Sequence, residues 1–372
     1  MRLHTALSEF DPLEWDKLAG HQPFVRHAFL NALETSGCAT AATGWQPLHM
    51  SVHDTCGGQQ AVMPWYLKSH SYGEFVFDWA WADAWRRAGL PYYPKLLSAV
   101  PFSPVTGPRA LGPSGSTATF AAAAEAIVAE RELSSAHCLF VNAAERDAFA
   151  ARGWLMRSDC QFHWHNRGWH DFDEFLSSFT AAKRKKVHRE RRRVREAGVS
   201  FDIRHGDQLD PPLIDAMHRF YRATFLERGR TPYLNRLFFA ELAARLGRAL
   251  VVIFAIHKGK PIAAAICLRD DHALYGRHWG CEAAYHSLHF ETCYYQGIEY
   301  CITQEIERFE PGTQGEHKIS RGFEPALTWS AHWIREPDFR AAIDEYLARE
   351  RLLIDAYAAD ARRHLPFRKA EN

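Results

Sequence analysis

With 372 residues, 47% of them hydrophobic and 24% charged, the chain can fill two ordinary domains and bury their cores without metal or disulfide staples. Its formal net charge of +1 excludes a protein whose whole surface is built for nucleic acid. Eight cysteines without a Cys-x-x-Cys pair exclude zinc ribbons and thioredoxin-like chemistry; those flanked by apolar neighbours, as in Ile266-Cys267-Leu268, read as small reduced hydrophobes.

The opening MRLHTALSEFDPLEWDKL carries acidic residues where a signal peptide needs an apolar stretch, and the longest apolar run, Ala249 to Ile256, is too short for a bilayer. The expected compartment is the cytoplasm. Helices are predicted at Pro12–Leu18 and Ala28–Thr35. A strand follows at Gln46–His53, then a Gly57-Gly58 turn, a strand at Gln60–Leu67 and a third apolar segment at Glu74–Trp81. An alanine-rich helix (Ala118–Glu132), a strand (His137–Val141), a short helix (Glu145–Ala151) and a strand (Trp154–Trp164) complete the first half.

The second half repeats that order. Leu213, Met217, Phe220, Tyr221 and Thr224 fall at helical spacing, as do Leu234, Phe238 and Leu242, with Gly247 as a helix stop. Strands are expected at Leu250–Ile256, Ile262–Leu268 and Ala273–Gly280, with the turn His257-Lys258-Gly259-Lys260 after the first. Phe290 to Ile306 makes one broad helical face, in which Gly297 marks close packing against a sheet. The last helix, Phe339 to about Ala361, is heavily charged and reads as a solvent-facing cap.

Four segments carry groups able to do chemistry. The first is Lys68–Asp83 with Tyr92–Leu96 and Pro101–Arg109, dense in aromatics and acids and without clear periodicity. Such irregular aromatic backbone lines a cleft or forms an aromatic seam; Tyr72, Trp79, Trp81, Tyr93 and Lys95 are its candidate substrate-binding residues and Asp78 its candidate proton acceptor. The second is Gln161-Phe-His-Trp-His-Asn166. His163 and His165 share a strand face with Gln161, but a third metal ligand at suitable spacing is lacking, so no metal is expected; Gln161 and His163 read as cleft-lining.

The third is Lys183–Arg195, a nearly all-positive run whose only acid is Glu190. It is either a solvated helix face or an anion site, and the excess of like charge favours phosphate binding by Lys183, Arg184, Lys186 and Arg189. The fourth is Gly312-Thr-Gln-Gly-Glu-His-Lys-Ile-Ser-Arg-Gly-Phe323. Its glycines let backbone approach a ligand, Lys318 and Arg321 can meet an oxyanion or phosphate, Glu316 or His317 can accept a proton, and Gln314 can bind substrate.

These strings, with Tyr275–Gly280, His289–Gln296 and the HSYGEF–FDWAWA and QGEHK–RGF motifs, resemble the FemAB-like predicted N-acyltransferase family of bacterial proteins concerned with peptidoglycan biosynthesis or recognition. The resemblance spans nearly the full length. It implies an α/β (α+β) chain of two tandem GNAT-like domains, Fem-transferase-like, divided at 1–155 and 156–372, the second including the basic helix 183–197. It implies acyl or aminoacyl transfer to a primary amine of a small molecule or cell-wall precursor, with Arg277 and Tyr295 added to the substrate-binding residues. No cofactor would be bound; the donor would be an acyl-CoA or an aminoacyl-tRNA. The glycines of the Q/R-x-x-G-x-G/A pyrophosphate loop of acetyl-CoA-dependent relatives have no counterpart at His286–Tyr295. Where Fem transferases carry a lysine in an F-K-x-G-F string, this chain has Lys318-Ile-Ser-Arg-Gly-Phe323, leaving Lys318 or Arg321 for that role. A CoA-dependent small-molecule acetyltransferase and a non-catalytic module for phosphate-bearing precursors or RNA are the alternatives.

Overall fold

The computed structural model describes residues 1–282, 285–313 and 315–368. The chain forms two compact units: Met1–Asp159 with Leu327–Ala356, and Cys160–Ala326 with Tyr357–Asn372. That division departs from a single cut at 155/156, because the chain returns to the first unit for thirty residues near its end.

In the first unit, α1 (Pro12–Ala19) starts at Asp11, whose carboxylate accepts from the amides of Leu13 and Glu14 at 2.8 and 2.9 Å while Pro12 presets the first turn; α2 is His27–Thr35. The two long strands expected next are each broken. β2 (Trp45–Pro47) and β5 (Tyr66–Lys68) pair in one sheet, whereas β3 (His49–His53) and β4 (Gln59–Met63) join β1 (Arg2–His4) in a three-stranded one. Pro47 and Pro64 sit at the breaks, where a residue without N–H cannot extend a ladder.

Glu74–Trp81 is not a third strand. It is irregular as far as Asp78 and then becomes α3 (Trp79–Arg87), which buries Trp81 and Trp85, one turn apart, against Tyr92 and Ile334. The strand that follows β5 is instead β6 (Lys95–Ser98), and β6 pairs in parallel with β7 (Ser135–Val141) across the crossover helix α4 (Ser116–Glu130). α5 (Ala143–Ala151) follows, and β14 (Glu324–Ile334) pairs with β7. The final helix α12 (Pro337–Arg363) is more than a solvated cap: its Ile343 and Leu347 join the Trp81–Trp85 cluster.

The β6–β7 pairing lasts three residues, Leu96↔Ala136 to Ser98↔Cys138. Beyond it, the segment Val105–Arg109 covers the exposed edge of β7. Gly107 donates to Phe140 O at 3.1 Å and bridges Val141, and the fully buried Arg109 gives its Nε to Leu139 O at 3.0 Å and its Nη groups to the carbonyls of Val105, Gly107 and Pro108.

The second unit opens with β8 (Leu155–His165), which enters it at Cys160, then α6 (Phe172–Ser177), α7 (Ala181–Glu196), β9 (Val199–His205), α8 (Pro211–Leu226) and α9 (Arg236–Leu246). An antiparallel meander follows, β10 (Leu250–His257), β11 (Lys260–Arg269) and β12 (Ala273–Cys281), with β9 on the outer edge of β10. The register between β11 and β12 steps from Ile266↔His278 to Cys267↔Gly276, which leaves Arg277 as the extra residue of a bulge.

One continuous helical segment then crosses over: α10 (Leu288–Phe290), a π-helical turn at Glu291–Tyr295, and α11 (Gln296–Thr303). It leads to β13 (Arg308–Glu310), parallel to β12 for three residues only, Ala273↔Arg308 to Tyr275↔Glu310, and antiparallel to β8 on its other side. A Cβ at Gly297 would stand 2.5 Å from the Phe309 ring, so glycine is what lets the helix reach the sheet.

Candidate active site

The motif Glu316–Arg321 folds as a short 3-10 turn in the second unit, closed by Gly322 at φ 91, where a Cβ would also meet the rings of Phe175 and Phe179 at 3.0–3.2 Å. The turn points its two cations inward: Lys318 is 1% and Arg321 2% exposed. Lys318 Nζ donates to Gly312 O at 2.6 Å, and burial, helped by the charge of Arg277, lowers its ammonium from the ordinary 10.5 to about 7. A buried amine of lowered basicity therefore sits just past the end of β13.

Arg321 is held differently. Its Nη2 meets both oxygens of Glu190 at 2.9 and 2.8 Å, Nη1 donates to His317 O at 2.7 Å, and the guanidinium lies 3.6 Å above the centre of the Phe290 ring. Tyr295, buried by the π turn, donates its hydroxyl to the same Glu190. His317 shares a 2.8 Å hydrogen bond with Tyr294 OH, and burial with the neighbouring charges of Arg321, Lys318 and Lys186 lowers its pKa. Glu316 is exposed and receives a hydrogen bond from Tyr357 at 3.3 Å.

The parting of β12 and β13 carries a second set. Arg277, aimed by the bulge, has a side chain 5% exposed, with Nη2 3.9 Å from Glu310 Oε2. His163 Nε2 stands 4.0 Å from the same oxygen and 3.3 Å from Gln161 Oε1, and burial holds its pKa down to about 4. Arg308 Nε binds the other oxygen of Glu310 at 2.9 Å. Lys318, Arg277 and His163 thus fall around one parting, Tyr295 lies in the same unit against Glu190, and Gln314 lies outside the described residues.

The basic run is helical throughout α7, buried along Val187, Glu190 and Val194. Arg191 binds Glu291 and Glu299 at 3.1 and 2.6 Å. Lys183, Lys186 and Arg189 make no ion pair among the described residues, and Arg184 only reaches Phe179 O at 3.5 Å.

In the first unit, Lys95 is fully buried and donates to Glu74 Oε2 and Ser71 Oγ, both at 2.8 Å, and to Asp78 Oδ2. Tyr92 OH also gives its proton to Asp78 at 2.6 Å, and Tyr93 OH pairs with Ser71 at 2.8 Å. Despite its burial, the Lys95 charge holds Asp78 well below the usual carboxylate range. Asp78, expected from the sequence as a proton acceptor, is engaged here as the counter-ion of Lys95. Lys68, opposite Lys95 on the next strand, lies 3.8 Å over the Trp45 ring, and burial lowers it to about 7. Trp81 is buried against His332, whereas Tyr72 and Trp79 are exposed, their rings 5.1 Å apart.

The profile of the FemAB-like family, described as peptidoglycan biosynthesis/recognition, matches residues 6–369. The chain belongs to the FemAB-like family. Among solved structures, this FemAB-like chain is similar to FemX (11% identity, 92% of this chain and all of that one, TM-score 0.56). It is also similar to the C-terminal domain of a putative lysylphosphatidylglycerol synthetase from Agrobacterium fabrum (10% identity, 91% and 96% covered, TM-score 0.54) and to L-PGS from Bacillus licheniformis (8%, 85% and 95%, TM-score 0.50). No curated protein sequence matches it. With the parallel crossover repeated in both units, the FemAB-like chain is α/β, with the fold of FemX and of the lysylphosphatidylglycerol synthetase domain. Among its described residues no helix is long and apolar enough to cross a membrane, and no three His, Cys, Asp or Glu side chains are grouped to hold a metal ion.

Sequence reasoning about this FemAB-like chain missed Glu190, Glu310, Tyr294 and Glu74. Glu190 had a signal: it shares the Val187/Val194 stripe, so the one acid of the basic run falls on the buried face. Glu310 ends the three-residue strand Arg308–Glu310 just before Pro311-Gly312, where burial of a carboxylate is invisible without the neighbouring strand.

Proposed function

We propose that this protein transfers an aminoacyl group from a charged tRNA to the primary amine of a cell-wall precursor in the cytoplasm, with Lys318 polarising the transferred carbonyl. The observation that carries the reading is Lys318 itself, a buried amine beside Arg277 where β12 and β13 part, in a chain of the FemAB-like family. A cation held in a desolvated place is worth far more to a developing oxyanion than one in water. Arg321, already bonded to Glu190 and His317, shapes the turn that presents Lys318. Lys183, Lys186 and Arg189 of α7, without ion pairs among the described residues, suit the phosphates of a nucleic-acid donor. Acyl-CoA is the less favoured donor, because the helix entered at Leu288 follows Ser287 and has no glycine before Gly297 to admit a pyrophosphate.

The test is to incubate the protein with radiolabelled alanyl-tRNA, and separately with labelled acetyl-CoA, together with amine-bearing muropeptides. Transfer from the tRNA that falls about 100-fold or more in Lys318→Met supports the reading. Transfer unchanged in that variant, or none from either donor, defeats it.

A further inference from the structure

Removing the proton from the attacking amine needs a base close to the carbonyl that Lys318 polarises. Three acceptors were expected from the sequence, and each is otherwise engaged or exposed: Asp78 is the counter-ion of Lys95, Glu316 is exposed and bonded by Tyr357, and His317 is tied to Tyr294. Glu310 is none of these. It is 2% exposed; its Oε1 takes the hydrogen bond from Arg308, while its buried Oε2 makes no hydrogen bond among the described residues. A buried carboxylate oxygen left so weakens the fold, a cost that persists where function needs the group.

Its place is as telling as its isolation. Glu310 is the last paired residue of β13, opposite Tyr275, and the next residue on β12 but one is the bulged Arg277. Two residues on, Gly312 offers its carbonyl to Lys318 Nζ. The equivalent parting in the first unit is filled by Arg109, with every recorded side-chain bond made to a backbone carbonyl. In the second unit the parting keeps a carboxylate oxygen with Arg277 and His163 around it at 3.9 and 4.0 Å.

We propose that Glu310 is the catalytic base of the transfer, an inference that rests on the acyl-transfer reading above. The amine lone pair forms the N–C bond to the carbonyl carbon, and the carbonyl π pair moves onto the oxygen beside Lys318. Glu310 Oε2 takes one N–H proton. As the C–O bond to the leaving hydroxyl breaks, that proton passes to the departing oxygen, leaving an amide and an alcohol (a thiol from a thioester). The surroundings fit this order of events: the cations Arg277, Arg308 and Lys318 disfavour an amine bound as ammonium, so the carboxylate meets positive nitrogen only as the bond forms.

The experiment compares wild type, Glu310→Gln and Glu310→Asp in single-turnover transfer from alanyl-tRNA to n-butylamine and to hydroxylamine, whose adduct with the carbonyl carries a far more acidic N–H and so has less need of a base. Glu310→Gln should slow transfer to n-butylamine by about 10²–10⁴-fold and leave hydroxylamine within about tenfold, with Glu310→Asp between. Equal losses with both nucleophiles mean a structural role and overturn the proposal; a misfolded Gln variant would lose both, and Glu310→Asp must then restore n-butylamine transfer for the proposal to stand. If wild type transfers to neither nucleophile, the acyl-transfer reading falls and takes this base with it. Full wild-type activity with an indifferent Glu310→Gln removes Glu310 alone.

Discussion

Arg321 and Glu190, 131 residues apart, form a buried pair in which one guanidinium nitrogen lies within 2.9 Å of both carboxylate oxygens. The same carboxylate takes the Tyr295 hydroxyl, so the basic helix, the π turn and the glycine-bounded turn meet on a single side chain. Removing one partner of such a pair leaves the other charged and unsolvated. Glu190→Ala should therefore lose about 3–5 kcal/mol, while Lys183→Ala and Lys186→Ala on the same helix stay within about 0.5 kcal/mol. Urea denaturation of the three variants decides it; equal small effects would show that the pair is not what fixes the turn.

Lys318 makes stability depend on pH in an unusual direction. Its folded pKa, about 7, lies below the unfolded value of 10.5, so between those limits the unfolded chain binds more proton. Stability contributed through this group rises with pH from about 7 to 10.5, and at pH 6 the buried charge is a full penalty. Lys318→Met should then stabilise the protein at pH 6 by on the order of a few kcal/mol, with the gain vanishing toward pH 10. Thermal melts of both proteins across that range test it, and a gain independent of pH would contradict the buried-charge account.

The sequence made the second unit more legible than the first. Its three meander strands are long apolar runs with a Gly-containing turn, so pattern and structure agree at Leu250–His257, Lys260–Arg269 and Ala273–Cys281. The first unit breaks its strands at Pro47 and Pro64 and hides α3 behind an aromatic run, in which the helical pair Trp81 and Trp85 is masked by the alternating Phe75, Phe77 and Trp79 before it. The inward pair Lys318 and Arg321 could be read from glycine-bounded functional density. Glu310 and the Asp78–Lys95 pair could not, because each depends on which residue the next strand or loop brings opposite.

Lys95 holds the buried carboxylates Glu74 and Asp78 together. Lys95→Met leaves both without their cation and should cost about 3–5 kcal/mol at pH 7. The folded pKa of Asp78 is depressed in the wild type, so its contribution is present above the unfolded value and is lost as pH falls through the folded one. In the variant, burial without the cation raises Asp78 instead and lifts Glu74, which burial already raises to about 7 in the wild type, further, and protonating them relieves the strain. The gap between the two proteins should be largest at neutral pH and narrow by pH 4, as measured by denaturant midpoints. A constant gap would mean that packing, not charge, is what Lys95 supplies.

The remaining prediction concerns the donor. Lys183, Lys186 and Arg189 lie on α7 without ion-pair partners among the described residues, while Arg191 and Arg321 are held by carboxylates. If the free cations meet tRNA phosphates, each contact releases condensed counterions, and the logarithm of affinity falls with the logarithm of salt by about 0.7–0.9 per phosphate. Replacing all three by alanine should lower that slope by about 2 and weaken tRNA binding most strongly at low salt. Arg349→Ala, which removes an exposed arginine paired to Glu345 in the first unit, should leave the slope unchanged. Filter binding of tRNA between low and moderate salt gives both numbers. An unaltered slope in the triple variant would remove α7 from the donor site and leave its charge as a solvated face.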